Sequence, residues 1–175
     1  MRDSLKLQLH LFLLHRIPLL TTLFFMFVFF MPVYSLQINY LRPIIAIICV
    51  YYWTLRRGYL FGFISAFIVG FVTDIYSSSP LGINIFMLML LSGVTQWLSH
   101  YFQSASFGAG WFIFSIVCMG FMLIKWAILS IYTMHIIAVG EIGFGYLATV
   151  MFYPLIAWLN VKVQTTFLPQ EHINE

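Results

Sequence analysis

Long apolar runs, separated by short polar or charged interruptions, follow one another along nearly the whole chain. Runs without Asp, Glu, Lys or Arg extend over residues 17–41, 43–55, 58–73, 75–124, 126–140 and 142–161. A membrane-spanning helix needs about 20 apolar residues to cross a hydrocarbon core of about 30 Å. The runs do not alternate between apolar and polar residues, as the strands of a membrane barrel would. The pattern therefore predicts an all-α integral membrane protein.

The interruptions divide the chain into six predicted helices. The run 75–124 is too long for one helix, and the polar stretch at 99–110 supplies a turn within it. The expected helices are 17–36, 40–56, 58–76, 82–101, 109–137 and 142–161. A basic N-terminal segment, 1–16, and a short polar C-terminal tail, 162–175, flank a single bundle, 17–161.

The second predicted helix is the shortest. Between Arg42 and Arg56 there is room for only about 20 Å of uncharged helix at 1.5 Å per residue. Both arginines would then have to extend to the membrane interfaces. The alternative is a re-entrant segment, which would leave five crossings and place the C-terminus outside.

Lysine and arginine predict the orientation, because cytoplasmic connections carry most of these residues. With six crossings and a cytoplasmic N-terminus, six of the eight basic residues fall inside, Arg42 falls outside, and Lys125 lies within a span. Both termini are then cytoplasmic. The tryptophans expected near one common interface are Trp53, Trp97, Trp111 and Trp158.

Composition excludes a sizeable soluble domain. The chain is 62% hydrophobic and 7% charged, with a mean hydropathy of +0.98, whereas soluble domains are about 25% charged. The sequence has no glycine-rich phosphate loop, no HExxH motif and no CxxC spacing around Cys49 and Cys118. We therefore expect no enzymatic activity, no cofactor, no metal site and no nucleic-acid partner.

Small residues recur at every fourth position of the third predicted helix, and Asp74 is the next step. Such spacing lets two helix backbones approach closely within lipid. Packing inside the bundle is the favoured interpretation, and contact with a partner protein remains open. The members of this small-residue ridge are Gly58, Gly62, Ala66 and Gly70.

Asp74 precedes the stretch SSSPLGIN, in which Pro80 and Gly82 favour a turn between two helices. Three interpretations remain open for its carboxylate. It lies in interfacial water, accepts hydrogen bonds from the serine turn at 77–79, or pairs with a buried cation. The candidate cation is Lys125, because ionisable residues inside a membrane usually pair or face the bundle interior. Two alternatives remain open for Lys125, which are extension to the membrane interface and contact with Glu141.

The block RPIIAIICVYYWTLRRGYLFGFISAFIVGFVTDIYSSSPLGINIFMLMLLSGVTQWL, residues 42–98, resembles the rod shape-determining MreD family. The resemblance implies a scaffold in the bacterial inner membrane, acting in cell elongation and peptidoglycan synthesis. Implied partners are MreC, the complex of RodA with a class B penicillin-binding protein and, indirectly, MreB filaments. It also implies a fold similar to the substrate-binding subunits of energy-coupling-factor transporters. The matching positions are Trp53, Arg56, Arg57, Gly62, Gly70, Asp74, Pro80, Leu81, Gly82 and Asn84.

Two other functions stay open at this point. A substrate-binding subunit of a vitamin-type transporter would need a polar cavity, which Asp74, Asn84 and Lys125 would line. A small membrane enzyme would use Asp74 or His135.

Overall fold

The computed structural model describes residues 16–29, 44–77, 80–102, 106–135 and 139–167. All regular structure within these ranges is α-helical. The basic segment before Arg16, the connection that contains Arg42, and most of the C-terminal tail lie outside the described residues. The described residues form six helices: α1 Arg16–Phe29, α2 Ile45–Arg57, α3 Phe63–Tyr76, α4 Ile83–Phe102, α5 Phe107–Thr133 and α6 Val139–Phe167.

Helix α2 forms the centre of the bundle. Every residue from Ile45 to Leu55 is buried, and α2 contacts α3, α4 and α6. A helix that is apolar on all sides must be surrounded by other helices, and α2 has this composition. Its 13 residues extend over about 20 Å. Because neighbouring helices rather than lipid cover α2, its length need not match the membrane thickness.

Three of the helices are long and apolar enough to cross a membrane: α4, α5 and the Ile142–Thr166 part of α6. Helices α1 and α3 are apolar but shorter. Helix α1 packs on the core through Leu19, Thr22 and Met26, which are buried at the three- and four-residue spacing of one helix face. The chain is thus a helical membrane protein.

Two hydrogen bonds between helices show which helix ends meet at one end of the bundle. Tyr51 Oη donates to the Gly110 carbonyl at 3.2 Å, and Tyr52 Oη donates to Gln164 Oε1 at 2.9 Å. The end of α2, the start of α5 and the end of α6 therefore meet, at what we call the Arg57 end. Helix α3 runs away from this end, so its last turn lies at the opposite, Asp74 end.

Several helix boundaries differ from the predicted ones: α2 begins at Ile45 rather than at residue 40, and α5 ends at Thr133 rather than at residue 137. Helix α3 begins at Phe63 rather than at residue 58, because the chain turns at Gly58–Leu60. Helix α6 continues to Phe167, beyond the predicted end at residue 161, and includes Pro154. Lys162 therefore lies on a helix, with its ammonium 5.4 Å from the Trp158 ring centroid, and does not begin a polar tail.

Trp53 differs from the other predicted interfacial tryptophans in the exposure of its ring. Its side chain is 0% exposed, whereas Trp97 and Trp158 are exposed by 62% and 57%. Trp53 thus lies toward the same end of the bundle as the other three tryptophans, but neighbouring helices cover its ring. The physical reason is the central position of α2, which turns even its aromatic residues into core residues.

Candidate functional site

The connection between α3 and α4 is a tight turn built by local chemistry. Ser77 leaves the helical conformation at the end of α3, and its N–H donates to the Thr73 carbonyl at 2.8 Å. Gly82 has φ of +103°, a conformation that costs glycine little and other residues much. Helix α4 begins at the next residue. The turn thereby aims the first amides of α4 at the last turn of α3.

The Asp74 carboxylate caps α4 from the neighbouring helix. Oδ2 accepts the N–H of Gly82 at 2.8 Å and that of Ile85 at 3.4 Å, and Oδ1 accepts the N–H of Asn84 at 3.0 Å. The first amides of a helix have no partner within that helix, and they carry a partial positive charge. Asp74, which is only 3% exposed, satisfies both needs of the α4 N-terminus.

Asn84 connects this cap to α5. Its Nδ2 donates to Asp74 Oδ1 at 2.8 Å and to Ser77 Oγ at 2.9 Å. Its Oδ1 accepts a hydrogen bond from the Lys125 ammonium at 2.8 Å. Asp74, Ser77, Asn84 and Lys125 together form what we call the Asn84 network, which joins three helices at the Asp74 end.

The predicted relationship between Asp74 and Lys125 thus has a specific geometry. The two charged groups bind opposite sides of one amide, so Asn84 mediates between them. The donors to Asp74 are the turn and first residues of α4. Ser78 and Ser79 lie outside the described residues, and Ser77 accepts from Asn84. Pro80 and Leu81 complete the turn, with Leu81 75% exposed.

The small-residue ridge occupies two different structural settings. Gly58 follows α2 and Gly62 precedes α3, so neither lies within the third helix. Ala66 and Gly70 are buried in α3. A Cβ on Gly70 would lie 2.6 Å from Ile85 Cα, which means that α3 and α4 approach through backbone there. That part of the ridge is covered by this chain's own α4.

A cluster of aromatic side chains, which the sequence analysis did not single out, lies at the Arg57 end. Tyr51 packs against Phe114 and Tyr153, and those two rings stack at 4.3 Å. The adjacent cavity, beside Arg56, holds about 30 Å³, roughly the volume of one water molecule. Aromatic residues in a sequence so rich in them carry no distinguishing signal, so only packing reveals the cluster.

The residues that metal binding or nucleophilic catalysis would need are not brought together among the described residues. Among the described residues, no group of three or more His, Cys, Asp or Glu side chains is placed to hold a metal ion. Ser65 lies in the first turns of α3, near the Arg57 end, whereas His135 follows α5 at the other end and is exposed. Cys49 and Cys118 are free and buried in the core.

Comparison with known proteins places the chain in a family. The family model described as rod shape-determining protein MreD matches residues 6–163. No curated protein and no solved structure matches the chain. The family match includes five of the six helices whole and nearly all of α6, together with the complete Asn84 network. The chain therefore belongs to the MreD family of rod shape-determining proteins.

Proposed function

We propose that this protein is a non-enzymatic scaffold of the bacterial cell-elongation machinery, which binds transmembrane helices of partner proteins in the inner membrane. Its proposed partners are MreC and the complex of RodA with a class B penicillin-binding protein, and through them MreB filaments. Both termini are proposed to be cytoplasmic. The bundle is proposed to share its fold with the substrate-binding subunits of energy-coupling-factor transporters.

The observation that carries the proposal is the Asn84 network. Asp74 and Asn84 are 3% and 2% exposed, and they bond to each other and to the first turn of α4. Two of the three groups that a transporter subunit would offer to a ligand, Asp74 and Asn84, are therefore engaged in joining helices. This favours a rigid body that presents fixed helix faces over a ligand carrier.

Fixed outer faces are what a scaffold needs in lipid. Packing complementarity drives helix association there, because lipid tails are as apolar as the side chains. Ile64 on α3, Ile116 on α5 and Met151 on α6 project from three faces, with exposed fractions of 74%, 59% and 74%. A partner helix bound to one face would cover one of these side chains and leave the others in lipid.

Site-specific photo-crosslinking in living cells tests the proposal. A photoreactive residue is placed separately at Ile64, Ile116 and Met151, and each variant must first restore rod shape to cells that lack the protein. We expect protein adducts that contain MreC or the RodA complex at one face, with the other two positions as matched controls. Complementing variants that yield no protein adduct at any face would contradict the scaffold. Purification with a stoichiometric small molecule would support the transporter alternative instead.

A further inference from the structure

A shallow lateral groove separates α4 from α5 below the Asn84 network. It has a volume of about 180 Å³. Leu91 and Phe121 are buried at its base, whereas Leu90, Val94 and Ile124 are exposed by 38–43% at its rim. The groove therefore opens sideways to the membrane. Its lining is Leu90, Leu91 and Val94 from α4 with Val117, Gly120, Phe121 and Ile124 from α5.

Lys125 directly follows Ile124, the last residue of α5 that lines this groove. Residues 117, 121 and 125 share one face of α5, because residues four apart in a helix lie above one another. The hydrogen bond from Lys125 to Asn84 at 2.8 Å holds that end of α5 against the first turn of α4. The two antiparallel helices thus form a groove with an ammonium at its head and only apolar side chains along its length.

The charge of Lys125 is incompletely used by the protein. Its ammonium has three N–H donors, and within the described part of the chain one of them has an acceptor, Asn84 Oδ1. The nearby Asp74 carboxylate accepts four N–H groups from the start of α4. The partial positive charge of that helix N-terminus, about half a unit, offsets part of the carboxylate charge. The ammonium at the head of the groove therefore retains hydrogen-bond donors for a ligand.

We propose that this groove binds one anionic phospholipid, with its phosphate at Lys125 and an acyl chain along the α4–α5 groove. A basic group between transmembrane helices attracts anionic headgroups. A volume of about 180 Å³ is smaller than the pockets of about 300 Å³ and more that enclose a compact ligand. A groove of this size that opens sideways holds a stretch of one flexible chain and leaves the rest of that chain in the bilayer.

Two variants separate the headgroup from the chain. Lys125→Met removes the charge, and Gly120→Leu fills the groove, because a Cβ on Gly120 meets no atom within 4 Å. The matched controls are Lys162→Met, at an exposed lysine beside Trp158, and Gly143→Leu, where a Cβ also meets open space on α6. Full-length protein, delipidated in mild detergent, is titrated by native mass spectrometry. The probes are phosphatidylglycerol and phosphatidylcholine with identical acyl chains.

The wild type is expected to bind one phosphatidylglycerol about fivefold more tightly than phosphatidylcholine, the contribution of one lysine near a membrane surface. Lys125→Met is expected to abolish this preference. Gly120→Leu is expected to lower the affinity for both lipids, whereas both control variants retain wild-type binding. Equal affinity of the wild type for the two lipids would overturn the proposal, as would unchanged binding by Gly120→Leu. If Lys125→Met does not fold, Gly120→Leu still decides the outcome, because it leaves the Asn84 network intact. Crosslinks from Val117 to a protein chain instead of lipid would also overturn the proposal.

Discussion

The Lys125 ammonium donates a hydrogen bond to Oδ1 of Asn84 at 2.8 Å, although 41 positions separate these residues in the chain. The same asparagine donates to Asp74 at 2.8 Å. An amide suits this position because its oxygen accepts a hydrogen bond from the cation while its NH₂ group donates one to the anion. Asn84 thereby lets α3, α4 and α5 share one set of polar contacts inside an apolar bundle.

Asp74→Asn is expected to lower the free energy of unfolding by about 2 kcal/mol, the scale of a hydrogen bond to a charged group. Both carboxylate oxygens accept N–H groups in the wild type, Oδ2 from Gly82 and Ile85 and Oδ1 from Asn84. In the variant an NH₂ group replaces one of these oxygens, so that two hydrogen-bond donors face each other and that bond is lost. Equilibrium unfolding in detergent measures the change. Ser77→Ala serves as the milder control, since it removes one acceptor of Asn84 and leaves the cap. An Asp74→Asn variant as stable as the wild type would refute the capping role.

Asn84→Ala and Lys125→Met are expected to be non-additive by about 1–2 kcal/mol, within the range for residues in direct contact. Removal of Asn84 deprives the ammonium of its side-chain acceptor, so the second substitution costs less in the Asn84→Ala background. A double-mutant cycle on unfolding free energies measures this coupling. Pairing Lys125→Met with Gly143→Leu on α6 gives a control cycle, for which additivity is expected. Additivity in the Asn84 cycle would mean that the hydrogen bond contributes nothing to stability.

Gly70→Ala is expected to destabilise the protein by about 1–3 kcal/mol, as overpacking of a close contact does. The new Cβ would lie 2.6 Å from Ile85 Cα, which is backbone and cannot rotate away. Gly120→Ala is the matched control, because its Cβ meets open space and alanine favours a helix over glycine by about 1 kcal/mol. The thermal unfolding temperature should fall below that of the wild type in Gly70→Ala and rise above it in Gly120→Ala. Equal shifts would argue against a close α3–α4 contact.

Gly82→Ala is expected to cost about 1–3 kcal/mol, because a residue with a Cβ is strained at a φ of +103°. A Cβ there meets no atom within 4 Å, so crowding contributes nothing and the backbone conformation alone is tested. The measurement is again unfolding in detergent. The Asp74→Asn, Gly82→Ala double variant should lose less free energy of unfolding than the two single variants lose together, since Gly82 donates to Asp74 at 2.8 Å.

Cys49 and Cys118 are expected to resist maleimide in the folded protein and to react fully in denaturing detergent. Both side chains are 0% exposed, so the reagent cannot reach either sulfur. Mass spectrometry counts the labels. Met151→Cys, at a site 74% exposed, provides a reactive reference on the same fold. Rapid labelling of either native cysteine would contradict the packing of α2 or α5.

The sequence was sufficient for the features that depend on neighbouring residues. Helical membrane character follows from apolar runs, and the turn between α3 and α4 follows from Pro80 and Gly82 after Asp74. The sequence also pointed to Asp74 and Lys125 as charged groups that need partners, since burial of a charge requires them. The family resemblance, which is confirmed, rested on the same segment.

Only the tertiary structure decided which groups meet. Hydropathy cannot distinguish a helix surrounded by lipid from one surrounded by helices, so the central position of α2 and the burial of Trp53 required the fold. Likewise, the four-residue spacing of the small residues did not reveal that Gly70 faces α4 while Gly58 and Gly62 belong to a turn. The role of Asn84 between Asp74 and Lys125 depends on how α5 packs against α4. Local pattern determines which segments form helices, but contacts between distant segments arise from packing geometry, which no local pattern contains.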